Sequence, residues 1–249
     1  MTAYDAVAGE YERGRPAYAQ AAIACLIEEA GLDRDARVLD LGAGTGKLSR
    51  MLDAAGPAVV ALDPSASMLA QLRAAAPRVR TVVGTAEAIP LDDRTVDAVV
   101  AGQAFHWFDA AKALAEIHRV LKPRRSLGLL WNKRDEADPV QMLLAELINP
   151  PERAARRGWE LDIPAILRES GLFERAKAFE FPHVQATDAE GLVDRLRSSS
   201  YVAALPDECR RLLETRLRAK LDELGPPFDL GYTTLLYVAQ RHAVTTPRR

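Results

Sequence analysis

The sequence predicts an α/β fold in which short buried strands alternate with helices around a mostly parallel sheet. Apolar runs such as Val59-Val60-Ala61-Leu62 and Val96 to Ala101 are too short for buried helices and are rich in valine. Each of these runs leads toward a helix-period segment, the order that builds parallel sheets. With 249 residues, 48% of them hydrophobic and 27% charged, the chain can bury a sizeable core in one such domain with an elaboration.

The elements follow in order. A leader from Tyr4 to Tyr18 mixes aromatics with arginine, and an early helix carries Cys25 among Ile23, Leu26 and Ile27. Val38, Leu39 and Leu41 form a first buried strand that contains Asp40 and opens into Gly42, Gly44 and Gly46. A helix over Lys47 to Ala55 puts Leu48, Met51 and Leu52 on one face and stops at Gly56. The second strand, Val59 to Asp63, runs into Pro64-Ser65 and a helix over Ala66 to Ala75, with Asp63 as its expected cap. A third strand, Val79 to Val83, leads into Gly84-Thr85-Ala86-Glu87, and Asp92-Asp93 reads as a turn. A fourth, Val96 to Ala101, leads into Gly102-Gln103-Ala104-Phe105-His106-Trp107-Phe108. A helix over Ala110 to Leu121 and a fifth strand over Leu127 to Trp131 come next. Helices are expected over Pro139 to Ile148 and Ile163 to Ser170, and a sixth strand over Lys177 to Phe181. Amphipathic stretches at Asp188 to Arg197 and Pro206 to Leu224 precede a last strand at Tyr232 to Arg241.

The glycine segment is the best candidate for a nucleotide cradle, because glycine lets backbone approach a ligand closely. A GxxxxGK[ST] phosphate loop needs glycine where Leu41 stands and a hydroxyl where Leu48 stands. The dinucleotide pattern GxGxxG needs its third glycine at Lys47. What remains is Asp-x-Gly-x-Gly-x-Gly. A carboxylate before the loop repels a pyrophosphate and attracts an ammonium or sulfonium, which points to S-adenosylmethionine (SAM) rather than NAD. A glycine-rich turn without a ligand is the plain alternative.

On these residues the chain resembles the class I SAM-dependent methyltransferases, in particular the small-molecule group called type 11, over most of its length. The resemblance implies a Rossmann-like, seven-stranded, mostly parallel sheet flanked by helices, with a small helical lid inserted near the C-terminus. It implies a single domain over 1–249, with cofactor-covering helices over 1–30, the core over 36–185 and 228–243, and the lid over 186–227. SAM would lie against Asp40, Gly42, Ala43, Gly44 and Gly46, with Asp63, 23 positions past Asp40, on the ribose hydroxyls and Pro64, Ser65 and Met68 beside it. Ala86 and Glu87 would meet the adenine amine, and Gln103 would face the cofactor past the fourth strand. From the leader, Tyr11 would shield the methionine portion and Arg15 would pair its carboxylate. His106, Trp107, Trp131 and Tyr201 would line the acceptor pocket. The family usually has two glycines where this chain has Arg124-Arg125, which must turn without easy access to positive φ; both are otherwise read as solvated charges.

The reaction implied is in-line displacement of the sulfonium methyl by an O, N or C atom of a small organic acceptor, leaving S-adenosylhomocysteine (SAH). His106 is the candidate base, since its ordinary pKa lies near working pH; His118, His183 and His242 are weaker candidates, the last two expected on late strands. No metal is expected, because the acids and histidines are scattered. Gln103-Ala104-Phe105-His106 replaces the Asn-Pro-Pro-Tyr element of related enzymes that methylate base or glutamine amino groups, which favours a small acceptor. A nucleic-acid or protein methyltransferase, and a SAM-binding protein without methyl transfer, are the alternatives. Net charge is 33 − 35 = −2, giving no whole-chain attraction to nucleic acid or anionic membranes. Clusters at Arg153, Arg156 and Arg157 and at Arg210 to Lys220 are expected to be solvated helix faces. Two cysteines, no leader peptide and no membrane-length apolar run suit a reduced cytoplasmic setting; oligomeric state is unread.

Overall fold

The computed structural model describes residues 13–148 and 160–242. In chain order its elements are α1 (Gln20–Ala30), β1 (Arg37–Leu41), α2 (Lys47–Ala55), β2 (Ala58–Asp63), α3 (Ala66–Ala75), β3 (Arg80–Val83), β4 (Val96–Gly102) and α4 (Ala110–Val120). They continue with β5 (Leu121–Arg134), α5 (Pro139–Ile148), α6 (Ile163–Ser170), β6 (Lys177–Thr187), α7 (Ala189–Arg197), α8 (Ser200–Ala203), α9 (Asp207–Leu224) and β7 (Phe228–Gln240). The seven strands form one sheet in the order β3-β2-β1-β4-β5-β7-β6. The first five are parallel, and β7 enters antiparallel between β5 and β6.

Helices cover both faces, which is why the central strands are apolar on both sides. Leu39, Leu41, Val99 and Leu129 pack under Leu114 and Ile117 of α4 and Leu167 of α6. On the other face Val38, Val100 and Leu236 meet Leu26 of α1, Leu52 of α2 and Leu72 of α3. Leu26 and Leu52 are wholly buried; truncating either to alanine costs about 2–5 kcal/mol. A third cluster joins Leu144 of α5 to Leu196 of α7, Leu217 and Leu221 of α9 and Leu230 of β7. So α5, expected within the 36–185 core, packs with the helices inserted between β6 and β7.

The last three strands run longer than expected. Lys122 precedes Pro123, which favours extended backbone at once after α4, and β5 therefore starts at Leu121. The turn expected to lack positive φ has it at Arg124, φ 60°. The Gln240 amide donates to the Arg124 carbonyl at 2.8 Å and steadies this turn. Arg125, read as a solvated charge, pairs with buried Asp97 at 3.1 Å beside Lys122 at 2.8 Å. His242 lies past β7 rather than on it.

Candidate active site

The carboxyl ends of β1, β2 and β4 meet around the glycine loop. The Gly42 and Ala43 amides both donate to the Leu62 carbonyl, at 2.8 and 3.1 Å, and the Gly44 amide donates to Asp63 Oδ2 at 2.9 Å. The loop is thus pinned to the end of β2. Gly42 and Gly44 have φ of 66° and 56°. A Cβ on Gly42 would stand 2.5 Å from the Ala104 Cβ, so this glycine lets the loop pack against the segment after β4. A Cβ on Gly44 would meet only the Met68 sulfur, at 3.5 Å. Gly44 therefore borders the open side of the loop, where a ligand can approach backbone.

Two acids flank it. Asp40 is 1% exposed and accepts a 2.6 Å hydrogen bond from the Ser49 hydroxyl on Oδ2, while its buried Oδ1 has no partner. Burial pushes its pKa up to about 7; Ser49 opposes the shift and the charge of Asp63 adds to it. Asp63 accepts from Gly44 on one oxygen and from the Ser65 amide, at 2.8 Å, on the other. The expected cap role of Asp63 belongs instead to Ser65, whose hydroxyl accepts from the Met68 amide at 3.2 Å. The aspartate joins loop and helix start without capping. An unmatched buried oxygen and a cradle open at Gly44 suit a ligand that carries an ammonium or sulfonium.

Past β3, Ala86 is buried, and Glu87 accepts from the Asp109 amide at 3.0 Å, tying this loop to the start of α4. Past β4, Gln103 sits at φ 57°, with its amide bonded to the Leu130 carbonyl at 2.9 Å and its side chain reaching the Asn132 carbonyl at 3.3 Å. Left-handed backbone on a residue with a Cβ costs about 1–2 kcal/mol, so the surrounding bonds hold this residue in place. His106 follows on a single 3-10 turn over Phe105–Trp107. Its Nδ1 faces the Trp131 indole nitrogen at 3.5 Å and its ring leans on Trp107 at 4.9 Å. Desolvation pushes its pKa down to about 4, so the ring is neutral at physiological pH. Trp107 is 67% exposed at the rim, whereas Trp131 is 0% exposed and packs edge-on to Tyr237, reaching the site only through His106.

The chain before α1 lies across these strand ends. The Asn132 side chain donates to the Ala17 carbonyl at 2.9 Å and accepts from Thr234 at 2.7 Å; the Thr234 hydroxyl in turn accepts from the Ala19 amide at 3.0 Å. His183 donates from Nε2 to the same Ala17 carbonyl at 3.2 Å. The Tyr18 hydroxyl fills the space a side chain at Gly102 would need. Arg13 grips Asp194 with two hydrogen bonds, 2.6 and 3.2 Å, and a Cβ on Gly14 would overlap the Arg195 backbone. Arg15, expected on a cofactor carboxylate, is held on the Ser198 hydroxyl at 3.2 Å and carbonyl at 3.4 Å. Tyr11 lies outside the described residues. Tyr201 packs against the α5–α7–α9 cluster.

Ser49, Asn132, Thr234 and Tyr18 belong to this region and were not singled out from sequence. Ser49 sits within an apolar helix face and Thr234 within a strand, and neither carries a local signal. In α9, Arg218 pairs with Glu190 at 2.5 Å, Arg216 approaches Glu146 at 3.9 Å and Arg210 pairs with Asp207, so much of that basic run is internally matched. Arg153, Arg156 and Arg157 lie outside the described residues. Among the described residues no group of three or more His, Cys, Asp or Glu could hold a metal, and no helix is long and apolar enough to cross a membrane.

Comparison with known proteins agrees with this arrangement. The family described as "Methyltransferase domain" matches residues 39–127. An uncharacterized methyltransferase of Mycobacterium tuberculosis strain H37Rv is 40% identical over 218 residues, covering 88% of this chain and 85% of the relative. The crystal structure of the YcgJ protein from Bacillus subtilis superposes with a TM-score of 0.60 at 20% identity, covering 90% of this chain and 100% of that one. A phosphoethanolamine N-methyltransferase from Haemonchus contortus, solved with SAM, has the same fold, with a TM-score of 0.55 at 16% identity over 96% of this chain and 57% of that one.

Proposed function

The chain belongs to the class I SAM-dependent methyltransferases of type 11, and we propose that it methylates an O, N or C atom of a small organic acceptor. Bound SAM supplies an activated methyl group, and the acceptor takes it by in-line displacement. One observation carries the reading: the open cradle at Gly44, flanked by the unmatched Asp40 oxygen on β1 and the Asp63 carboxylate at the end of β2. Asp63 at the end of β2 meets the ribose hydroxyls, Pro64, Ser65 and Met68 form the wall beside it, and Ala86 and Glu87 border the adenine side. Gln103 faces the cofactor from the end of β4.

His106 and Trp107 border the acceptor, and the α7–α9 helices, through Tyr201, serve as its lid. Residues 13–18 of the leader cover the cofactor, and the grip of Arg13 on α7 links that cover to the lid. The enzyme supplies positioning and a dry site. Its partners are small molecules rather than nucleic acid or membrane, it needs no metal, and it works in the cytoplasm. The test is to incubate the protein with methyl-labelled SAM and metabolite extracts and follow label into products. Label in a low-mass product supports the reading; label only in RNA or protein, or none in the presence of demonstrated SAM binding, overturns it.

A further inference from the structure

We propose that His106 serves the acceptor as a neutral hydrogen-bond donor, held in that form by the buried indole of Trp131, and that the acceptor therefore brings an already ionised oxygen. The inference deepens the methyl-transfer reading above and rests on it for the identity of the site. Trp131 Nε1 lies 3.5 Å from His106 Nδ1. An indole nitrogen can only donate, so Nδ1 must hold a lone pair. The one hydrogen of the neutral ring then sits on Nε2, on the side away from Trp131. Trp131 is fully buried in the sheet core and fixed edge-on against Tyr237, which keeps its N–H aimed at the ring.

A base at this position faces two obstacles. Accepting a proton on Nε2 requires a lone pair there, which moves the ring hydrogen to Nδ1 and sets two donors against each other. The imidazolium would also form in a desolvated place where, among the described residues, no carboxylate hydrogen-bonds His106 to support it. An N–H left unmet on desolvation is costly, and a bond to a charged oxygen is about twice as strong as one to a neutral oxygen. The site therefore selects an anionic oxygen at the reacting end, while exposed Trp107 offers an apolar face to the rest of the acceptor.

The step balances without a base. A lone pair of the ionised oxygen forms the bond to the methyl carbon as the carbon–sulfur bond breaks, and its electrons neutralise the sulfonium. No proton moves, and His106 keeps its own. A carboxylate can give one oxygen to His106 and react through the other, whereas a phenolate must share its single oxygen between the two.

Two measurements on the full chain test this. Nitrogen NMR of the His106 ring at neutral pH, assigned by its loss in His106→Gln, should show the Nε2–H tautomer, and Trp131→Phe should shift it toward a mixture. A wild-type ring with its hydrogen on Nδ1 overturns the proposal whatever happens to the tryptophan variant. With SAH present, benzoate and nitrophenolate should bind roughly tenfold tighter than benzamide and nitrobenzene. That preference should vanish in His106→Ala and return in His106→Gln, which restores a donor but no base. A preference for benzoate alone identifies the carboxylate arm, and one for nitrophenolate the phenolate arm. Equal binding of anions and neutral analogues, or a preference that His106→Ala leaves intact, overturns the proposal. Failure of SAH itself to bind overturns the cofactor reading instead, and the tautomer measurement still stands.

Discussion

On the β1–β2 side of the cleft, Gly44 and Asp63 are 19 residues apart, and Ser65 and Met68 follow within one helix start. On the β5–β7 side, Asn132 holds Ala17 across 115 residues and Thr234 across 102, and Arg13 meets Asp194 across 181. The first wall is written in consecutive motifs and made of backbone amides. The second is assembled by side chains that meet only once the sheet has closed. The first wall is thus held by local bonds within one stretch of chain, and the second by contacts between distant ones.

Removing Asp63 should break the first wall most. Asp63→Ala leaves the Gly44 and Ser65 amides without acceptors, and each orphaned amide costs about 1–3 kcal/mol. Urea unfolding should show a loss of about 2–4 kcal/mol and calorimetry a collapse of SAH affinity; retention of both would mean that the loop holds itself. Gly44→Val should block ligand approach, because its side chain enters the open space there, and at φ 56° it should strain the loop as well. The expected loss of SAH affinity is roughly 30-fold, about 2 kcal/mol, and unchanged affinity would place the ligand elsewhere.

Asp40 sharpens the comparison through pH. Its folded pKa of about 7 lies above the ordinary 3.8, so the folded chain holds a proton that the unfolded chain gives up between these values. Its contribution to stability is therefore complete below pH 3.8 and is lost as pH rises through about 7. Asp40→Asn should flatten the pH dependence of unfolding over that range. A cationic ligand beside Asp40 lowers its pKa, so SAM binding just below neutral pH should release up to about one proton, seen as a buffer-dependent binding enthalpy. No such dependence would separate Asp40 from the ligand.

The smallest effect belongs to the second wall. Arg13 is 62% exposed although its bond to Asp194 is bidentate, so Arg13→Ala should cost about 0.5–1 kcal/mol. Hydrogen exchange should quicken in residues 13–18 and in α7 while SAH affinity changes by less than about threefold, as expected for a loss under 1 kcal/mol. Unchanged exchange would assign the anchoring of the leader to Arg15, Asn132, His183 and Thr234.

Helix bounds were legible where their signals are local. The stops at Gly56 and Gly171 and the start at Ala66 give the ends of α2, α6 and α3 as expected from sequence, although Ser65 rather than Asp63 caps α3. Strand lengths were not, since β5, β6 and β7 extend as far as they find partners, and Arg134 pairs with Tyr232 through a register that only the closed sheet supplies. Within the site, the glycine loop and its acids could be named in advance. The bonds on Asp63 and Arg15 could not, nor could the tryptophan behind His106.

By itself the sequence determined the alternation of strand and helix, the glycine loop and the family, because those rest on short-range periodicity and on residue types at fixed spacing. Only the tertiary structure decided how the leader and α7 meet, which oxygen of Asp40 is left unmatched and which nitrogen of His106 faces the Trp131 indole. The physical reason is common to all three. Burial and hydrogen-bond partnership are set by atoms far apart in the chain, and they, rather than residue identity, determine what a side chain can give to a ligand.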